Sequence, residues 1–92
     1  MIIRIMTEGQ YRFPGAMIDD LNDIDHALVD VVAEDNQEEF ARLFDDMLEM
    51  VRKNGTPLAD DELEESDSVI PQPDITLEEA KDLFVGTGVV PG

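Results

Sequence analysis

The residues best suited to chemistry are the carboxylates of the segment 60–67, DDELEESD. Clustered carboxylate oxygens are the ligands that Ca²⁺ and Mg²⁺ prefer in proteins. An EF-hand loop also needs a glycine in its middle and a closing glutamate at a fixed offset, and this segment does not supply that pattern. The segment therefore indicates weak association with cations and not a dedicated metal site.

The rest of the sequence offers few groups to a catalyst. The chain has no cysteine and one histidine, His26, which excludes thiolate chemistry and leaves few groups for acid–base catalysis. On a helical wheel His26 falls on the acidic side, which favours a solvated position over a metal ligand. The sequence contains no phosphate-binding loop, nucleophile elbow or HExxH motif. We therefore expect a protein that is not an enzyme and uses no cofactor.

The chain is strongly acidic, with 23 Asp and Glu against 6 Lys and Arg among 92 residues and a net charge of −17. Such a charge repels nucleic acids and anionic lipids, so neither is an expected direct partner. The N-terminal apolar run is too short for a signal peptide or a membrane span, and we expect a cytoplasmic protein.

Two interpretations of this acidity are open. One is adaptation to a cytoplasm at molar salt; the other is an acidic surface that captures basic nucleic-acid-binding proteins as a decoy. The acids are scattered along the whole chain, and Asp outnumbers Glu. This distribution favours adaptation to salt, because screening at about 1 M salt removes most of the repulsion between surface charges.

The N-terminal residues predict a β-hairpin with strands at 2–7 and 10–13 and a turn at Glu8 and Gly9. Strand alternation places Ile3 and Ile5 on a core face and Arg4 with Met6 on the other. Two amphipathic helices are predicted next, at about 16–33 and 37–54, because apolar residues recur there at helical spacing.

Local signals mark where the second helix begins and where it ends. Asn36 with Glu39 has the spacing of an N-terminal cap, and Gly55 is a stop signal. Few residues separate the two helices, so they are expected to form an antiparallel helical hairpin.

After the helices the sequence predicts an extended strap at 55–75. Its prolines disfavour helix, and residues 68–71 suit a short edge strand beside the hairpin. Apolar residues set among the turn signals are expected to be buried at intervals: Leu58, Leu63, Val69 and Ile70. Thr76 and Glu79 form a capping box that begins a short helix at 77–85.

The predicted fold is therefore a single α+β domain at 1–92 with the element order β-β-α-α-β-α. Its parts are the β-hairpin at 1–13, the helical hairpin at 16–54, the strap at 55–75, the short helix at 76–85 and a tail at 86–92.

One charged residue falls close to the predicted core. Asp25 projects at the edge of the apolar arc of the first helix, where an unpaired carboxylate is costly. Arg4 and Arg12 lie on the hairpin that is expected to cover this region, and we predict an ion pair between Arg4 and Asp25. The alternative is that the Asp25 carboxylate reaches solvent at the rim of the core.

The sequence resembles the phage-shock-protein-A-associated (PspAA) domain family. The resemblance is carried by MIIRIMTEGQY, LNDID, the stretch GTPLADDELEESDSVIPQPDITLEEAKDLF and the closing PG. It implies an accessory protein that works with homologues of phage shock protein A (PspA), a coiled-coil membrane-stress protein, and is recruited through them to the inner face of the membrane. It carries over no catalytic residue.

The hairpin holds the expected partner-binding residues. Positive and aromatic residues are rare in this chain and are typical of interface anchors, which singles out Arg4, Tyr11, Arg12 and Phe13. The competing interpretation is that Tyr11 and Phe13 cap the core. A small two-layer fold leaves one face of the hairpin open, so pairing of two copies is also an open alternative.

Overall fold

The computed structural model describes residues 1–59, 61–62 and 64–84. Within these residues four strands form one mixed sheet in the order β3-β2-β1-β4. The strands are β1 Ile2–Ile5, β2 Gly9–Arg12, β3 Thr56–Pro57 and β4 Ser68–Ile70. β1 pairs antiparallel with β2 and parallel with β4, and β2 pairs antiparallel with β3. The predicted α+β fold is confirmed, with β3 as an added strand.

Two helices pack together against one face of this sheet. They are α1 Ile18–Ala33, preceded by a 3₁₀ turn at Gly15–Met17, and α2 Gln37–Asn54. The Asn36 side chain accepts a hydrogen bond from the Glu39 amide, as its spacing predicts. Asp35, with φ 56°, adopts the left-handed conformation that reverses the chain between the helices.

The end of α2 lies close against the sheet. A Cβ added at Gly55 would lie 2.5 Å from the Val51 carbonyl oxygen and 3.1 Å from the Tyr11 Cβ. Because a clash with backbone is not relieved by a rotamer change, only glycine fits here. The stop signal read from the sequence therefore also permits the close approach of α2 and β2.

The core lies between the sheet and the helices. Its fully buried side chains include Ile3 and Ile5 from β1 and Met47 and Val51 from α2. The predicted alternation in β1 is confirmed, because both isoleucines are 0% exposed whereas Arg4 between them is half-buried.

The strap, residues 55–75, contains β3 at one edge of the sheet and β4 at the other. Ser68–Ile70 confirms the predicted strand beside β1. Ile70 is buried as expected, but the predicted burial of Val69 is wrong, because alternation turns it away from the core and leaves it 46% exposed. Leu63 lies outside the described residues.

The segment after the strap begins with the predicted capping box at Thr76 and Glu79. The helix itself, α3, is shorter than predicted and covers Leu77–Ala80, followed by turns that reach Phe84. Phe84 is 1% exposed and packs edge-on against Phe40 and Phe44 of α2. The predicted end of the helix at residue 85 and the tail at 86–92 lie outside the described residues.

Candidate partner-binding surface

The four hairpin residues predicted to bind a partner do not share one surface. Phe13 is 1% exposed and belongs to the hydrophobic core. Tyr11 lies opposite Ile3 on the core face and packs, half-buried, against the core cluster. Arg12 is exposed, and Arg4 is half-buried on the opposite, outer face of the sheet. Only the two arginines therefore lie on the side of the sheet that faces away from the helices.

The outer face is partly covered by the strap. Gln10, which lies opposite Arg4, is 7% exposed because its side-chain amide donates hydrogen bonds to the Glu64 carbonyl and, at 2.9 Å, to the Ser66 hydroxyl. Arg12 pairs with the Glu64 carboxylate at 3.0 Å. The acidic strap is thus held across the sheet by specific contacts, and it covers β2 on this side.

The outer face stays open next to the strap. Arg4 lies beside Val69 in the parallel pairing of β1 with β4, and Met6 follows directly after β1. Met6 is 44% exposed and Val69 is 46% exposed. We call Arg4, Met6 and Val69 the outer patch. Alternation in the sequence already placed Arg4 with Met6, whereas Val69 joins them only through a pairing of residues far apart in the chain.

Five of the six cationic side chains form ion pairs. Arg12 pairs with Glu64, Arg42 with Glu39 and Asp46, Arg52 with Glu8 and Glu49, Lys53 with Glu49, and Lys81 with Asp35 and Glu78. The hydrogen bond to Glu8 raises the pKa of Arg52, and those to Asp35 and then Glu78 raise the pKa of Lys81. Of the six cationic side chains, Arg4 is the one that makes neither an ion pair nor a side-chain hydrogen bond within the described part of the chain.

The predicted ion pair between Arg4 and Asp25 is not among these contacts. Asp25 is 0% exposed and lies on the buried face of α1 with Leu21 and Leu28. That face packs on the Ile3 and Ile5 side of the sheet, while Arg4 belongs to the other side. The alternative position for Asp25, at a solvated rim, does not fit its complete burial either.

A double-mutant cycle tests whether Arg4 and Asp25 interact. With Arg4→Gln and Asp25→Asn, we expect a coupling energy below about 0.5 kcal/mol, as for residues that do not touch. The measurement is urea denaturation of the parent protein, both single variants and the double variant in molar KCl. A coupling energy above about 1 kcal/mol would instead establish the ion pair, and Arg4 would then not be available to a partner at the outer patch.

Neither strand of the hairpin offers a free edge along its paired residues. β1 is paired on both sides, with β2 and β4, and β2 lies between β1 and β3. The strands at the two edges of the described sheet are only two and three residues long. Pro57 and Pro71 cannot donate backbone hydrogen bonds there. Addition of a partner strand to the edge of the hairpin is therefore disfavoured, and the outer face is the better candidate surface.

The described residues include no group of three or more His, Cys, Asp or Glu side chains placed to hold a metal ion. No helix among them is both long and apolar enough to cross a membrane. A recess beside α2 has a volume of about 350 Å³, with Phe40, Phe44 and Ile75 in its lining. These three side chains also belong to the hydrophobic core.

Comparison with known proteins identifies one family. The family model described as "PspA-Associated protein" matches residues 1–92. No curated protein matches the chain, and no solved structure matches it.

Proposed function

The chain belongs to the PspA-associated family, and from this membership we propose that it is a non-enzymatic accessory protein that binds a PspA-like coiled-coil protein of an envelope-stress system. The observation that carries the proposal is a family match over the whole length of the chain. In this role the protein acts in the cytoplasm and reaches the inner face of the membrane through its partner.

The surface chemistry supports a binding role. Five of the six cations are paired with acids of the same chain, so they are not available to a partner without breaking an existing contact. Arg4 has no such contact within the described residues and lies on an open part of the sheet. Arg12 lies nearby but is engaged by Glu64. Of the four predicted residues, Arg4 is therefore the best candidate for direct contact, and Tyr11 and Phe13 support the sheet from its core side.

Affinity capture at molar KCl tests the proposal. The tagged full-length protein is used to capture proteins from an extract of its own cells, and co-eluting proteins are identified by mass spectrometry. We expect recovery of a PspA-like protein that persists at high salt, because burial of apolar surface is insensitive to charge screening or is strengthened by salt.

The same experiment examines the acidic decoy, which none of the comparisons supports. A decoy would recover basic nucleic-acid-binding proteins at low salt and lose them at molar KCl, because exposed charges attract each other weakly beyond a Debye length of about 3 Å. That result, without a PspA-like protein at any salt concentration, would refute the accessory role.

A further inference from the structure

Arg4 is unusual because a chain with a net charge of −17 leaves it without an acidic partner among the described residues. It is half-buried on the outer face of the sheet. Glu8 and Glu62 line the same recess, but neither comes within ion-pair distance of Arg4. A guanidinium in this position has its donors available for a group from another molecule.

The residues beside Arg4 indicate the chemical surroundings and the shape of the partner segment that carries this group. Three large hydrophobic side chains are exposed among the described residues, and two of them, Met6 and Val69, belong to the outer patch. The strap, held by Gln10, limits the patch on the β2 side. The open surface is therefore narrow, with one cation beside apolar side chains, and it suits a single helix better than a broad protein face.

We propose that the outer patch docks a helix of the PspA-like partner that presents one carboxylate between apolar side chains. The Asp or Glu of that helix pairs with Arg4, and its apolar neighbours cover Met6 and Val69. A guanidinium binds a carboxylate through two parallel hydrogen bonds, which fixes the orientation of the helix as well as adding affinity. This inference rests on the proposed function, since it takes the PspA-like protein as the partner.

Two other occupants fit less well. A phosphate group carries up to two negative charges, and the carboxylates of Glu8 and Glu62 in the same recess repel it more strongly than they repel one carboxylate. A second copy of this chain, meeting patch to patch, would place Arg4 against Arg4 and add another net charge of −17. A single carboxylate in an apolar setting satisfies Arg4 with the least repulsion.

The test is a binding titration of the full chain against the purified PspA-like protein in molar KCl. We expect Arg4→Gln to weaken binding about tenfold or more, because a charge-assisted contact at the centre of the proposed interface is lost. Val69→Asp is expected to weaken it at least as much, since the new carboxylate lies beside Arg4 in the sheet and pairs with it within the chain. Thermal unfolding of each variant confirms that it is folded.

Arg42→Gln is the matched control. It removes the same charge from an exposed arginine of α2 that is already paired with Glu39, at a distance of 2.6 Å. We expect its affinity to stay within about twofold of the parent protein, because rim charges add little at high salt. A loss equal to that of Arg4→Gln would show that net charge, and not the outer patch, controls binding, and would overturn the inference.

Other outcomes separate this inference from the proposed function. If the parent protein does not bind the PspA-like protein, the proposed function fails and the inference fails with it. If the parent binds and Arg4→Gln binds equally well, the inference alone is wrong. If Arg4→Gln instead converts a dimer of the parent into a monomer without changing affinity, the patch joins two copies and the inference is also wrong.

Discussion

Replacement of Phe84 by alanine is expected to lower the free energy of unfolding by about 3–5 kcal/mol, the usual cost of truncating a buried phenylalanine. The Phe84 ring is 1% exposed, and its centroid lies 6.2 Å from those of Phe40 and Phe44, which stack on each other at 5.5 Å. Edge-to-face pairs add to the energy of burial, and truncation loses two of them together. The segment after α3 should then detach from α2.

Leu83→Ala is the control for this prediction. Leu83 precedes Phe84 and is also large and apolar, but it is 44% exposed, so its truncation removes little buried surface. We expect a loss below about 1 kcal/mol for this variant. Urea denaturation in molar KCl measures both values. Equal losses for the two variants would mean that Phe84 is not the residue that anchors this segment.

Replacement of Ile70 by alanine is expected to cost about 2–4 kcal/mol, because it leaves a cavity between β4 and the core. Ile70 is 0% exposed and lies beside Ile5 in the parallel pairing with β1. β4 is only three residues long, and Ile70 is the residue by which it reaches the hydrophobic core. Loss of this side chain should loosen β4 and the residues of the strap next to it.

Val69→Ala is the neighbouring control, because Val69 is 46% exposed on the outer face. Its truncation should change stability by less than about 0.5–1 kcal/mol. Limited proteolysis under native conditions gives a second measurement. The strap of the Ile70 variant should be cleaved faster than that of the parent, and the strap of the Val69 variant should not. Cleavage at the same rate in all three proteins would argue against β4 as the attachment of the strap.

The Val69→Ala control also helps to separate effects on folding from effects on binding in the titration with the PspA-like protein. If Val69→Ala leaves stability unchanged and Val69→Asp unfolds at the temperature of the parent protein, a loss of affinity in Val69→Asp reflects the outer patch and not unfolding of β4. The pair of substitutions at one position therefore separates folding from binding.

The sequence by itself determined the helices and their ends. The period of the apolar residues, the Asn36 cap and the Gly55 stop predicted α2 at 37–54, and the structure has it at Gln37–Asn54. Thr76 with Glu79 likewise predicted the start of α3. These features depend on contacts within a few residues along the chain, so their physical cause is visible in the sequence itself.

Strand alternation in β1 was equally local. It predicted that Ile3 and Ile5 face the core and that Arg4 and Met6 face away from it. The family motifs also lie in the sequence, and the family match over residues 1–92 confirms the resemblance.

Only the tertiary structure decided how the strap, the cations and the aromatic rings are placed. Residue 67 contacts residue 2, and the strap contacts Gln10 from more than fifty positions away. Phe13 turned out to be core, Val69 turned out to be exposed, and Arg4 had no acidic partner among the described residues because Asp25 lies on the other side of the sheet. Periodicity tells which side chains share a face. It does not tell which distant segment covers that face, because that choice depends on the total burial and charge pairing of the folded chain.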